Sequence, residues 1–121
     1  MRHHPIHSQT DPLDVERVTE VFRALSDPTR LQLMLTLTQG ETRVADLVKA
    51  LGQPQSTVSR HLTLLRTAHL VQTRREATSV YYRLADTHMA ELLTQAFSHA
   101  QHDRLGLPDH EAQDDMIGSV H

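Results

Sequence analysis

Residues 44–67, VADLVKALGQPQSTVSRHLTLLRT, decide the fold. Val44, Leu47, Val48 and Leu51 recur at helical spacing, so a short helix runs from about Arg43 to Leu51. Gly52 supplies the left-handed residue that commonly closes such a helix. A second helix starts near Pro54 and runs to about Thr67, with Val58, His61, Leu62 and Leu65 on one face and Ser56, Ser59, Arg60 and Thr63 on the opposite one. Two helices joined by so few residues, the second polar on its outer face, form the helix-turn-helix pattern.

Upstream, Asp27-Pro28 pairs an N-capping carboxylate with proline at the first helical position. It opens the helix TRLQLMLTLT (29–38), which is apolar on several faces and therefore central; Gly40 ends it. Before that, Val15, Val18, Val21, Phe22 and Leu25 mark a first helix from about Asp14. Downstream, Leu70–Arg75 and Ser79–Leu84 are rich in strand-forming residues and flank Glu76-Ala77-Thr78, which predicts a β-hairpin. Asp86 then caps a last helix over about 87–102. The expected fold is mainly α with a β-hairpin wing: a winged helix-turn-helix of order α-α-α-α-β-β-α, homodimeric. Its organisation is a mobile arm over 1–11, a DNA-binding and dimerisation domain over 12–103, and a mobile tail over 104–121.

Composition narrows the function. The 121 residues contain no cysteine, which removes disulfides, thiolate metal sites and cysteine nucleophiles. No apolar run approaches the roughly 20 residues of a membrane span, and MRHHPIHSQTDP lacks the apolar stretch of a signal peptide. A cytoplasmic protein is expected. The net charge of −3 argues against nucleic acid until its distribution is examined. Residues 41–85 hold seven basic and three acidic side chains, whereas 86–121 hold one basic and seven acidic. The basic charge thus lies on the helix-turn-helix and hairpin, and the acidic end points away from phosphate.

An α-helix fits the major groove and reads base edges with exposed polar side chains, mostly near its N-terminal half. Gln55, Ser56, Thr57, Ser59 and Arg60 occupy that half, and Arg74 and Arg75 near the hairpin tip suit neighbouring phosphates or a minor groove. His61, on the inner edge of the same helix, is expected to be a hydrogen-bonded core residue. The expected partner is double-stranded operator DNA, with no membrane and no small organic substrate.

The last helix carries a different chemistry. Met89, Leu92, Leu93, Ala96, Phe97 and Ala100 form its apolar stripe, flanked by His88, His99 and His102, with Asp86 at the helix start. Three imidazoles and a carboxylate suit zinc, nickel or cobalt. Eleven residues separate His88 from His99, or about 16 Å along a helix, while a metal needs its donors about 2 Å away. One straight helix therefore cannot close the site. Two packed antiparallel across a two-fold axis can, with Asp86 and His88 of one chain facing His99 and His102 of the other, and symmetry then doubles the site. A homodimer through the first and last helices is expected.

At this point the chain resembles the ArsR/SmtB metalloregulatory repressors, in the branch of the zinc sensor CzrA and the nickel/cobalt sensor NmtR. The resemblance spans about Val15 to Leu107. It is carried by ALSDPTRLQLM (24–34), QSTVSRHLTLLRTAHLV (55–71) and SVYYRLADTHMAELLTQAFSHAQH (79–102). It implies a repressor whose metal-free dimer binds an operator upstream of metal-efflux genes and leaves it when a divalent transition metal binds the last helix. By the same resemblance Asp86, His88, His99 and His102 match metal-ligand positions, and Gln55, Ser56, Ser59 and Arg60 match DNA-contacting ones. His69 falls in the turn where relatives use a backbone carbonyl to partner the ligand corresponding to His99.

The sequence departs from the family in places. The wing turn lacks the usual glycine, and Arg104 stands where the nickel/cobalt branch places an extra histidine. His110 is displaced by one residue from the next such position. Additional ligands for a six-coordinate metal are available in His3, His4, His110 and His121. Nickel/cobalt and zinc both remain open as effectors. So do a winged-helix regulator that senses no metal and, against the lack of any general base beside the four ligands, a metal-binding enzyme.

Overall fold

A computed structural model describes residues 11–106. Helix α1 spans Pro12–Leu25, α2 Pro28–Leu37, α3 Val44–Leu51 and α4 Gln55–Thr67. A two-residue strand β1 (Thr42–Arg43) precedes α3, the hairpin is β2 (Val71–Glu76) and β3 (Ser79–Leu84), and helix α5 is Thr87–Leu105. Residues 11–86 form one compact unit and α5 a second. The arm over 1–10 and the end of the tail from 107 lie outside the described residues, and with them His3, His4, His110 and His121.

Both Asp-Pro pairs start helices. Asp11 accepts a hydrogen bond from the Leu13 amide at 2.8 Å, and Asp27 accepts one from the Arg30 amide at 3.1 Å. Each carboxylate satisfies an amide that would otherwise lack a partner and complements the helix dipole. The first helix therefore begins at Pro12, ahead of the Asp14 that periodicity marked. Helix α2 is the central one: Leu33, Met34 and Leu37 are buried, joined by Leu47 of α3, Val58, Leu62 and Leu65 of α4, and Tyr82 of β3. Leu35 is the exception to the expected all-round burial, being 40% exposed.

Gly52 closes α3 in the left-handed region (φ 64°) and donates its amide to Val48 O at 2.9 Å. Only Gly52, Gln53 and Pro54 join α3 to α4. Gln53 Nε2 donates to Thr29 Oγ1 at 3.2 Å, which ties this turn to the start of α2.

The sheet has three strands, ordered β1-β3-β2, all antiparallel. The sequence signals missed β1, because two residues carry no readable alternation. The hairpin pairs Val71 with Leu84 through to Glu76 with Ser79, so Ala77 and Thr78 alone make the turn. Ala77 takes the left-handed conformation (φ 55°) that a tight hairpin demands and that glycine usually supplies. At the hairpin base the Ala85 amide donates to Leu70 O at 2.9 Å.

Candidate functional site

Helix α4 is held from beneath by apolar contacts and leaves its other side open. Val58, Leu62 and Leu65 are buried at a spacing of three and four residues, while Gln55, Ser56 and Arg60 are exposed and Thr57 and Ser59 half-buried. Pro54 precedes the helix, and no side chain caps its first amides. Those N–H groups and the positive end of the helix dipole therefore face outward for an anion.

His61 fixes the helix from its inner edge. Arg30 Nη1 lies 3.1 Å from His61 Nδ1, and Arg30 Nε donates to Ala24 O at 2.6 Å. A guanidinium only donates, so Nδ1 is the acceptor and the ring proton sits on Nε2. The Asp27 carboxylate is farther from the same nitrogen, at 3.8 Å, so the Arg30 contact sets the tautomer. The Arg30 amide, and beyond it the Arg30 guanidinium, hold the Asp27 carboxyl below its ordinary value against the opposing effect of burial. This is the hydrogen-bonded histidine expected at the inner edge of the helix, half-buried rather than enclosed in the core.

A concave groove of about 470 Å³ runs between α4 and the wing. Gln55, Ser59, Thr63 and Arg66 of α4 line one wall, Thr73, Arg74, Arg75 and Val80 of the hairpin another, and Arg43 the end. Of the residues expected at DNA, the groove gathers Gln55, Ser59, Arg74 and Arg75; Ser56, Thr57 and Arg60 lie outside its lining. Arg43 and Arg66 were not singled out from the sequence. Their signal was available as basic residues within the positively charged segment, but only the folded register places them beside the wing.

The two wing arginines differ. Arg74 Nε lies 3.2 Å from both Glu41 carboxylate oxygens, its Nη2 2.7 Å from Glu41 Oε1, and its Nη1 2.9 Å from Glu76 Oε1. Its guanidinium carbon stands 4.5 Å from the centre of the Tyr81 ring. Those hydrogen bonds push the Arg74 pKa further up and hold the Glu41 carboxyl below its ordinary value. Arg75 forms no ion pair with any described residue.

The turn after α4 is a helix-ending motif. The His69 amide donates to Arg66 O at 2.9 Å and the Leu70 amide to Leu65 O at 3.0 Å. This bond pair, with His69 left-handed (φ 64°) and Leu65 and Leu70 both buried, is the Schellman arrangement. His69 stands where glycine is the usual residue.

Helix α5 carries the proposed ligands apart from one another. Asp86 precedes it, His88 lies in its first turn, and His99 and His102 lie near its far end, which extends through Leu105 rather than stopping at His102. Asp86, His88 and His99 are exposed and His102 half-buried. Among the described residues of one chain, no three His, Asp or Glu side chains are grouped closely enough to hold a metal ion. The donor types suit a transition metal, and one chain presents them toward opposite ends of α5, Asp86 just before it and His102 near its far end. No helix among the described residues is long and apolar enough to cross a membrane.

Comparison with known proteins places this architecture. Residues 27–73, which hold α2 to the first hairpin strand, match the family described as bacterial regulatory protein, arsR family. The chain is 42% identical over 116 residues to the HTH-type transcriptional regulator KmtR of Mycobacterium tuberculosis, covering 93% of this chain and 89% of that one. It is also 42% identical over 101 residues to the HTH-type transcriptional regulator NmtR of the same organism, covering 81% and 84%. Among solved structures it is similar to the homodimeric winged helix-turn-helix DNA-binding domain of a possible ArsR-family regulator from Mycobacterium bovis. That similarity has a TM-score of 0.71 and 31% identity and covers 84% of this chain and 92% of that one. The chain belongs to the arsR family of bacterial regulatory proteins, whose members are DNA-binding transcriptional regulators and not enzymes.

Proposed function

We propose that this protein is a cytoplasmic, metal-responsive repressor whose metal-free homodimer holds operator DNA and releases it when nickel, cobalt or zinc binds between the last helices. The observation that carries the reading is the spacing of four donors, Asp86 just before a 19-residue helix and three histidines along it, which one chain does not bring together. A second copy packed antiparallel would pair Asp86 and His88 of one chain with His99 and His102 of the other. The bound metal would supply a rigid cross-link between two helices. Each chain's own residues supply two donors per site, so the metal reads the relative placement of the subunits. The similarity to NmtR, whose branch the last-helix motif resembles, supports a metal effector.

Dimerisation through α1 and α5 is supported by an uncovered apolar stripe. Val15, Val18 and Phe22 recur along one side of α1 at 53%, 51% and 56% exposure. Stripes of that kind mark protein interfaces. DNA would then be met by α4 through Gln55, Ser56, Thr57, Ser59 and Arg60, and by the wing. Metal and operator would oppose each other with equal strength in both directions, because binding linkage is reciprocal. His69, at the exit of α4, falls where the family resemblance expects a backbone carbonyl to partner the ligand corresponding to His99.

The deciding experiment is a DNA-binding titration with and without each divalent metal. His99→Ala is expected to abolish metal-induced release while leaving metal-free DNA affinity within about threefold, since distant sites act nearly independently. Retained release in that variant would remove α5 as the sensing element. Absorption spectra of the cobalt-loaded protein separate the metals' preferred geometries: intense d–d bands for four donors, weak ones for six.

A further inference from the structure

The wing carries two adjacent arginines, and the structure assigns them unlike tasks. We infer that Arg74 is a positioning residue that braces the wing against the strand ahead of the helix-turn-helix, while Arg75 is the wing's phosphate-facing cation. The inference rests on the proposed contact between wing and operator.

Successive residues of a strand point to opposite faces. Val71 is buried and Thr73 half-buried, so Arg75 shares their side, and Gln72, Arg74 and Glu76 share the other. On that other side Arg74 reaches across the central strand. Its register partner on β3 is Tyr81, over whose ring it lies, and its fork ends on Glu41, the residue just before β1. One side chain thereby reaches from β2 across β3 to the residue just before β1. Glu76 takes the remaining arm of the guanidinium at 2.9 Å, and Arg83 stands 3.9 Å from the second oxygen of Glu41. Nε, Nη1 and Nη2 of Arg74 are all committed to carboxylates, and the surrounding charge is balanced. A phosphate would have to displace a bidentate carboxylate to reach it.

Arg75 presents the opposite situation. Like Arg74 it lines the groove, beside Arg43 and Arg66, but unlike Arg74 it has no carboxylate partner among the described residues. An exposed ion pair adds little stability by itself. The contribution of the Arg74 fork is directional: it fixes the angle at which the hairpin presents Arg75.

The test uses an operator duplex selected in vitro from a random library by the wild-type metal-free protein. Its affinity is measured over a range of salt concentrations for Arg75→Ala, Arg74→Ala, Arg74→Lys, Glu41→Gln and the double variant. Arg75→Ala is expected to lower the salt slope by about 0.9, the signature of one lost phosphate contact. Arg74→Ala is expected to weaken binding by about three- to tenfold alone, and by almost nothing further in the Arg75→Ala background, as for two residues acting through one contact. Arg74→Lys should fail to rescue, because an ammonium cannot hold both carboxylates as the fork does.

Glu41→Gln gives the sharpest sign. Removing a negative charge near DNA would by itself tighten binding, whereas loss of the brace weakens it. A double variant whose slope falls by a second step of about 0.9, an Arg74→Lys with wild-type affinity, or a Glu41→Gln that binds more tightly each overturns the brace. An unchanged slope in Arg75→Ala overturns the Arg75 assignment together with the wing reading beneath it. The two failures are therefore distinguishable.

Discussion

Asp27 shows how much one side chain settles. It caps α2, accepts the Arg30 amide and stands beside the Arg30–His61 pair that anchors α4. Asp27→Ala is expected to cost about 1 kcal/mol, read by denaturant unfolding. The pH dependence has a definite sign. A carboxyl held below its ordinary value stabilises the fold above the unfolded pKa of about 3.9 and loses that contribution as pH falls through the lower folded value. Asp27→Asn keeps a capping oxygen but removes the charge. Its deficit should be present at neutral pH and vanish in acid; a deficit that persists unchanged at low pH would show that ionisation has no part in the cap. The Asp27-Pro28 signal was legible because capping is local. The Arg30–His61 contact was only half legible: burial of the imidazole follows from helical spacing, but its partner lies 31 residues away in sequence.

At the scale of elements, five helices and the hairpin were readable from periodicity, caps and strand-forming runs, since each repeats a local rule several times over. Strand β1 was not, and with it went Glu41, whose role depends on tertiary pairing with β3. The same gap explains why Arg74 and Arg75 looked equivalent in sequence. Helix α4 illustrates the converse, where a local rule is broken. His69 occupies the left-handed capping position at a conformational cost of roughly 1–2 kcal/mol for a residue with a Cβ. His69→Gly should therefore raise stability by up to about 1 kcal/mol, visible as a higher thermal midpoint. It keeps the backbone carbonyl, so metal-induced release should survive. A lower midpoint would mean that the imidazole itself makes a stabilising contact.

For the whole molecule, the apolar stripe of α1 leads to a prediction about assembly. Val18 lies at its centre, 51% exposed in the single chain. Val18→Asp would bury two carboxylates at a two-fold interface, at a cost on the order of 2 kcal/mol or more per copy. Sedimentation should find a monomer, with metal affinity and tight DNA binding lost together if, as proposed, both need two chains. A variant that remains dimeric would move the interface away from α1. The four proposed metal donors rest on residue types and spacings in the sequence, and the partner's proposed contribution on helix length alone. The hydrogen bond from Ala85 to Leu70 joins the segment before Asp86 to the exit of α4. Asp86 is the very next residue after that donor, and Leu70 is three residues past the last residue of α4. The hairpin is thus closed at its neck, and were Asp86 to hold a metal as proposed, a pull on its carboxylate would reach the exit of α4 over one amide rather than fourteen intervening residues. Amide hydrogen exchange at Ala85 and Leu70 should consequently shift on metal loading, ahead of any change at the hairpin tip.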